Sequence, residues 1–190
     1  MSHITVRPFR WEDVADLRKT YYELYDARDA GELVGITLFA ERPSPDDEKV
    51  WYERQRARMQ RGEIIYLVAE VNGHTVGSCT VERAGPTDTS ETAHVGELGI
   101  LVAREMRGKG VGTALLERAL SEARAKFEVV YLSVLSFNDG AKRLYERFGF
   151  RVCGRLPRAV KRGNQYFDSV RMALVFDGFL SGPGSTVKHP

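Results

Sequence analysis

Cysteine and histidine are scarce in this chain, and the scarcity excludes a good deal. Two cysteines, Cys79 and Cys153, and four histidines, His3, His74, His94 and His189, are scattered through 190 residues. None has the spacing of a zinc site, so no metal is expected, and two distant thiols make no disulfide framework. Both cysteines lie among apolar or small neighbours, VGSCTV and FRVCGR, and are expected to stay reduced in core or near-core space. An excess of one charge is also lacking. With 28 basic and 26 acidic residues the formal net charge is +2, which gives neither nucleic acid nor a membrane surface a field to bind. No segment approaches the roughly 20 apolar residues of a membrane span. The opening MSHITVRPFR has no apolar run of the secretory kind, so a cytoplasmic protein is expected.

What is present is 43% hydrophobic and 28% charged residues, enough for one domain with its own core. Residues 1–177 read as that domain and 178–190 as a loose tail without periodicity. HITVRPFR alternates as a first strand. WEDVADLRKTYYELYDA puts Val14, Leu17, Tyr21, Leu24 and Tyr25 on one helical face. Residues 28–44 fit either a turn of helix or a mobile loop. SPDDEKVWYERQRARMQR opens like a helix, with Ser44 as cap and Pro45 at the first position. IIYLVAEV and HTVGSCTVE flank Asn72-Gly73, a strong hairpin signal, and AHVGELGILV is a further strand. A helix with Val111, Leu115, Ala119, Ala123 and Phe127 at steady spacing follows, then VVYLSVL, apolar enough to be a strand covered on both faces. NDGAKRLYERFGF is a short helix stopped by Gly149, and FRVCGRL and QYFDSVRMALVF close the order β-α-α-β-β-β-α-β-α-β-β. The fold class is mixed α/β.

The strand 93–102 runs into REMRGKGVGTALLERAL, with Gly108, Gly110 and Gly112 at alternate positions beside Arg107 and Lys109. Without a ligand these residues make only a flexible turn. With one, a helix N-terminus offers unpaired N–H groups and partial positive charge, and glycine lets an anion approach the backbone, which is phosphate chemistry. The P-loop pattern GxxxxGK[ST] is missing, and GxGxxG fails because its third glycine falls on Thr113. The pattern that fits is [R/Q]-x-x-G-x-[G/A], over Arg107 to Gly112. Together with YLSVLSFNDGAKRLYERFGF downstream, LGILVAREMRGKGVGTALLERAL resembles the GNAT superfamily of N-acyltransferases. The element order agrees over about residues 4–176.

The resemblance implies a mixed, mostly antiparallel sheet, splayed between its fourth and fifth strands, with helices on both faces. It also implies transfer of an acetyl group from acetyl-CoA to a primary amine. Ile100, Leu101 and Val102 would lend backbone groups to the pantetheine arm. Arg107, Gly108, Lys109, Gly110, Val111 and Gly112, with Thr113, would cradle the pyrophosphate, and Asn138 would touch the cofactor arm. Tyr145 would be the general acid, unless it is only a core aromatic. Glu97, the one carboxylate on the preceding strand, is the candidate base, with a water relay or His94 as fallback; strand register decides which face it shows. Ser133 suits that role poorly.

On this resemblance the acceptor would be a small-molecule or peptide amine, and a homodimer is compatible with the sequence. Other readings stay open: an acetyltransferase of protein N-termini or lysines, or a non-catalytic acyl-CoA-binding regulatory protein. RLPRAVKRGNQYFDS, strongly basic, is a solvated hairpin or an anion contact, and Tyr166 and Asp168 share one strand face. Asp26, Asp29, Glu32, Asp46, Asp47 and Glu48 offer a hint of attraction for a cationic amine.

Overall fold

In the computed structural model, residues 3–44, 48–85 and 87–176 are described. Pro45, Asp46, Asp47, His189 and the tail 178–190 lie outside them. The elements run β1 (Thr5–Pro8), α1 (Val14–Asp29), α2 (Glu48–Gln60), β2 (Ile64–Val71), β3 (His74–Arg83), β4 (Val95–Val102), α3 (Val111–Ala123), β5 (Val129–Leu135), α4 (Asp139–Arg147), β6 (Arg151–Arg162) and β7 (Gln165–Val175). This is the order read from the sequence. The strands form one seven-stranded sheet in the order β1-β2-β3-β4-β5-β7-β6. Every neighbouring pair is antiparallel except β4 and β5.

Local chemistry accounts for the joints. Asn72 and Gly73 both take positive φ, 52° and 80°, the geometry a two-residue hairpin needs to match strand twist. Residues 11–13 form a separate 3-10 turn ahead of α1, so Asp13 stands at the junction instead of inside the helix. There it is buried and accepts hydrogen bonds from both terminal nitrogens of Arg7 (2.9 and 2.7 Å), from Arg10 N–H (2.7 Å) and from the Thr75 hydroxyl (2.5 Å). One carboxylate thereby ties β1, α1 and β3 together.

The two faces of the sheet carry separate cores. On one, Leu115, Leu116, Ala119 and Ala123 of α3 bury against Leu67, Val81, Leu98, Val130 and Leu132. On the other, Phe9, Val14 and Leu17 meet Ile64, Tyr66 and Val68. The second face is covered only in part. β5 was expected to be sealed on both sides, yet Ser133 is exposed, because the helical layer over Ile64–Val68 does not extend across β5. Cys79 fills the core as expected, whereas Cys153 is exposed on the edge strand β6. β6 also runs on to Arg162, past the expected stop. Two register shifts and a positive φ at Arg158 (54°) carry the strand across Pro157. No described helix is long and apolar enough to cross a membrane.

Candidate functional site

β4 and β5 pair over three rungs only: Val95 with Val129, Gly96 with Val130 and Glu97 with Tyr131. Beyond Glu97 the strands part. β4 keeps β3 as its partner through Val102, and β5 keeps β7 through Leu135. Along the gap, alternate N–H and C=O groups of 98–102 therefore lack a strand partner, as at an exposed sheet edge. Ile100 and Val102 turn their side chains to the α3 core, leaving their main chain at the gap. The sheet is splayed between its fourth and fifth strands, as the family resemblance implied.

At the open end of β4 the chain turns through Arg104–Met106 and the glycine stretch into α3. Gly108 and Gly110 take φ of 73° and 87°, which side chains rarely adopt. A Cβ at Gly108 would meet nothing within 4 Å, and one at Gly110 only Ile4 Cδ1 at 3.8 Å, so both glycines serve the turn and leave open space before it. Gly112 differs. Its Cβ would come within 3.1 Å of Leu144, so it lets α3 pack on α4.

No side chain caps α3, and its first hydrogen bond is Ala114 N–H to Gly110 C=O at 3.0 Å. The amides of Val111, Gly112 and Thr113 thus have no backbone acceptor among the described residues. Arg107 donates from Nε to Val102 C=O at 3.2 Å, and Lys109 is exposed. An open turn, unpaired amides and two cations fit a diphosphate.

Tyr145 lies on the α3 side of the gap, 6% exposed, its ring 5.9 Å from Phe150. Its hydroxyl has no hydrogen-bond partner among the described residues. It is not sealed in either, since Arg83 Nε is the one fully enclosed side-chain polar atom there without a partner. Burial, and then the neighbouring Cys79, push the phenol pKa above its ordinary value of 10.0. The residue is a core aromatic and also a protonated O–H with a free bond to give.

Glu97 sits on the last rung before the gap and accepts a hydrogen bond from Tyr131 O–H at 2.8 Å. Pairing with β3 is unbroken from Gly77 to Arg83, so no bulge alters the face Glu97 shows. It shares a face with Tyr131 and with Glu82, opposite Leu98 and α3. Tyr145 and Glu97 therefore stand on opposite faces of the sheet, with the splay between. The guanidinium of Arg171 lies 4.8 Å from the Tyr131 ring centre. Tyr131 is itself shifted upward, by burial first and then by its bond to Glu97. His94 is exposed at the start of β4.

Asn138 caps α4, accepting from Ala141 N–H at 3.3 Å, and donates to Gly35 C=O at 3.3 Å. A Cβ on Gly35 would reach within 2.4 Å of Asn138 Nδ2. Sequence reasoning missed what this contact belongs to. Residues 31–40, without periodicity, form a strap past the ends of β4 and β5. Glu32 pairs with Arg104 (2.7 Å), Gly35 meets Asn138, and Arg162 of β6 donates to Val34 C=O and Ile36 C=O (both 2.7 Å). Between strap and β6–β7 hairpin lies a cavity of about 440 Å³. Of the acids singled out in the sequence, the four among the described residues are each paired with an arginine: Asp26 with Arg42, Asp29 with Arg28, Glu32 with Arg104 and Glu48 with Arg18.

Comparison with known proteins agrees with this geometry. Residues 11–150 match the acetyltransferase (GNAT) family. The chain is similar to the L-amino acid N-acetyltransferase AaaT of Escherichia coli, 26% identical over 92% of this chain and 99% of that one. It is also similar to the spermidine N(1)-acetyltransferase of the same organism, 29% identical over 60% of this chain and 66% of that one. Among solved structures it resembles yncA of Salmonella typhimurium, determined with its cofactor acetyl-CoA. That likeness has a TM-score of 0.78 and 25% identity, and covers 96% of this chain and 98% of the other.

Proposed function

Because the chain belongs to the acetyltransferase (GNAT) family and is an N-acetyltransferase, we propose that it moves acetyl from acetyl-CoA directly to the primary amine of a small molecule. The observation that carries this reading is the parallel pair β4–β5, closed for three rungs and then open, with the glycine turn and the bare α3 amides at its open end. The amides of 108–113 would hold the pyrophosphate, and the free main chain of 100–102 the pantetheine arm. Acetyl-CoA supplies the activated thioester.

The chain supplies the proton traffic. Glu97 takes the ammonium proton, directly or through one water; Tyr131 fixes one carboxylate oxygen and leaves the other to accept it. As the C–S bond breaks, Tyr145 gives its hydroxyl proton to the departing sulfur from the opposite face of the gap, and the second proton that the acylated nitrogen sheds returns through water to the phenolate. No covalent enzyme intermediate is needed. Relatives named for amino acid and spermidine acceptors favour a small amine over a protein lysine. A cytoplasmic location is part of the reading, since an exposed free thiol such as Cys153 persists in a reducing compartment.

The test is release of free CoA thiol from acetyl-CoA against amino acids, polyamines, aminoglycosides and short peptides. Amine-dependent release is expected, and Glu97→Gln should lower kcat by about 10²-fold. Tight acetyl-CoA binding with no release for any amine would favour the regulatory reading. Turnover of peptides alone would favour the protein acetyltransferase.

A further inference from the structure

Four strands set a row of side chains on the face of the sheet that bears Glu97. Glu82 of β3 stands directly opposite Glu97 of β4, and Tyr131 of β5 flanks Glu97 on the other side. Arg171 of β7 is paired with Ser133 of β5, the next rung on the same face toward the open gap. Two carboxylates placed directly across an antiparallel pair repel each other. They are answered differently. Glu82 is held by Arg58 of α2. Glu97 has no cation against it among the described residues, and its partner is the Tyr131 hydroxyl.

The missing charge stands behind that tyrosine. Arg171 is exposed, and its side chain has neither a carboxylate nor a hydrogen-bond acceptor among the described residues. Its guanidinium nonetheless lies back over the half-buried Tyr131 ring, Cζ 4.8 Å from the centre. A cation on a ring face is attracted by the quadrupole and fixes the plane of the ring. It also withdraws charge from the phenol, making the hydroxyl a stronger donor to Glu97. Burial and then Glu97 raise the Tyr131 pKa, and Arg171 acts in the opposite direction. A direct ion pair would hold Glu97 more firmly, but it would occupy the oxygen that has to take the proton. Acting through the ring, Arg171 supports the carboxylate and leaves that oxygen open.

Resting on the reading of Glu97 as the base, we propose that Arg171 is a positioning residue for acetyl transfer. It braces Tyr131, and Tyr131 holds Glu97 with one oxygen turned to the acceptor amine. Arg171 itself touches neither acceptor nor cofactor.

The test compares Glu97→Gln, Tyr131→Phe, Arg171→Gln, Arg171→Lys and the double variant of Glu97→Gln with Arg171→Gln, by thiol release with the amines of the screen above. Arg171→Gln should lower kcat about five- to tenfold, with KM for amine and for acetyl-CoA moving less than about twofold. Lysine, which keeps a cation at the ring, should recover part of the loss. With Glu97 already replaced, losing Arg171 should cost nothing further, because it acts only through that carboxylate. A loss read in KM would make Arg171 an acceptor contact. A full loss persisting without Glu97 would detach it from the base, and an unchanged kcat would leave it a solvated arginine. Each of these overturns the proposal. A readout that needs no acceptor is the carbon-13 carboxyl resonance of Glu97 at neutral pH, identified by its disappearance in Glu97→Gln. It should move in Tyr131→Phe and also in Arg171→Gln; a resonance that ignores Arg171 overturns the brace whether or not any amine is turned over. Glu97→Gln as fast as wild type would instead overturn the choice of base, so the two failures are told apart.

Discussion

Tyr145→Phe is expected to lower kcat by about 10²- to 10⁴-fold, the usual range for losing a general acid, with acetyl-CoA affinity nearly unchanged. The ring fills core space beside Phe150, and phenylalanine fills the same space. Since the hydroxyl has no protein partner, its removal leaves no orphaned donor or acceptor, and the melting temperature should not fall. Loss of rate without loss of fold is therefore the signature. The phenol pKa is held above 10.0 by burial and by Cys79, so this group stays protonated throughout the neutral range. It should add no alkaline limb to the rate profile below about pH 10. Steady-state kinetics, with calorimetry of acetyl-CoA binding, reads both halves. An unchanged kcat would make Tyr145 a packing residue.

Asp13→Asn is expected to cost about 1–3 kcal/mol of stability, because an amide NH₂ would face the Arg7 guanidinium where a buried carboxylate oxygen now accepts from it, while Arg7 keeps Glu70 as its other partner. Burial raises the pKa of Asp13. The bonds from Arg7, Thr75 and the Arg10 amide, with the charge of Arg7, together outweigh it, so the folded value lies below the ordinary 3.8. A depressed folded pKa means stability that is fully present above the unfolded pKa. That stability is lost as pH falls from about 4 through the folded value. Urea unfolding at neutral pH should thus show the full loss in the variant. Wild-type stability should fall below pH 4 with a contribution the Asn variant lacks. Equal stabilities at neutral pH would mean that Arg7 is held by Glu70 alone, its other carboxylate partner at 2.8 Å.

Much of this was legible in the chain before any coordinates. β2 and β5 lie where apolar runs and the Asn-Gly turn place them, because hairpin geometry and burial are local in sequence. The glycine stretch was legible too, although its glycines divide the work: Gly108 and Gly110 shape the turn, while Gly112 answers to Leu144 on another helix. Long-range pairing was not legible. Glu32, Asp29 and Asp26 look like a cation-attracting patch until Arg104, Arg28 and Arg42 neutralise them. Nothing periodic marks residues 31–40 as a strap, since its shape is imposed by Asn138 and Arg162, more than a hundred positions away in sequence. Cys153 looks buried from its neighbours and is exposed because β6 is the sheet edge.

All of the chemistry turns on whether main-chain amides at the head of α3 grip a diphosphate and so thread the thioester arm into the β4–β5 opening. Amide nitrogen–proton NMR spectra of the labelled protein, recorded as acetyl-CoA is added, test that directly. The resonances of Gly108 to Thr113 should move most, followed by those of Ile100 to Val102. Saturable binding that leaves both groups in place and shifts amides elsewhere would contradict the account.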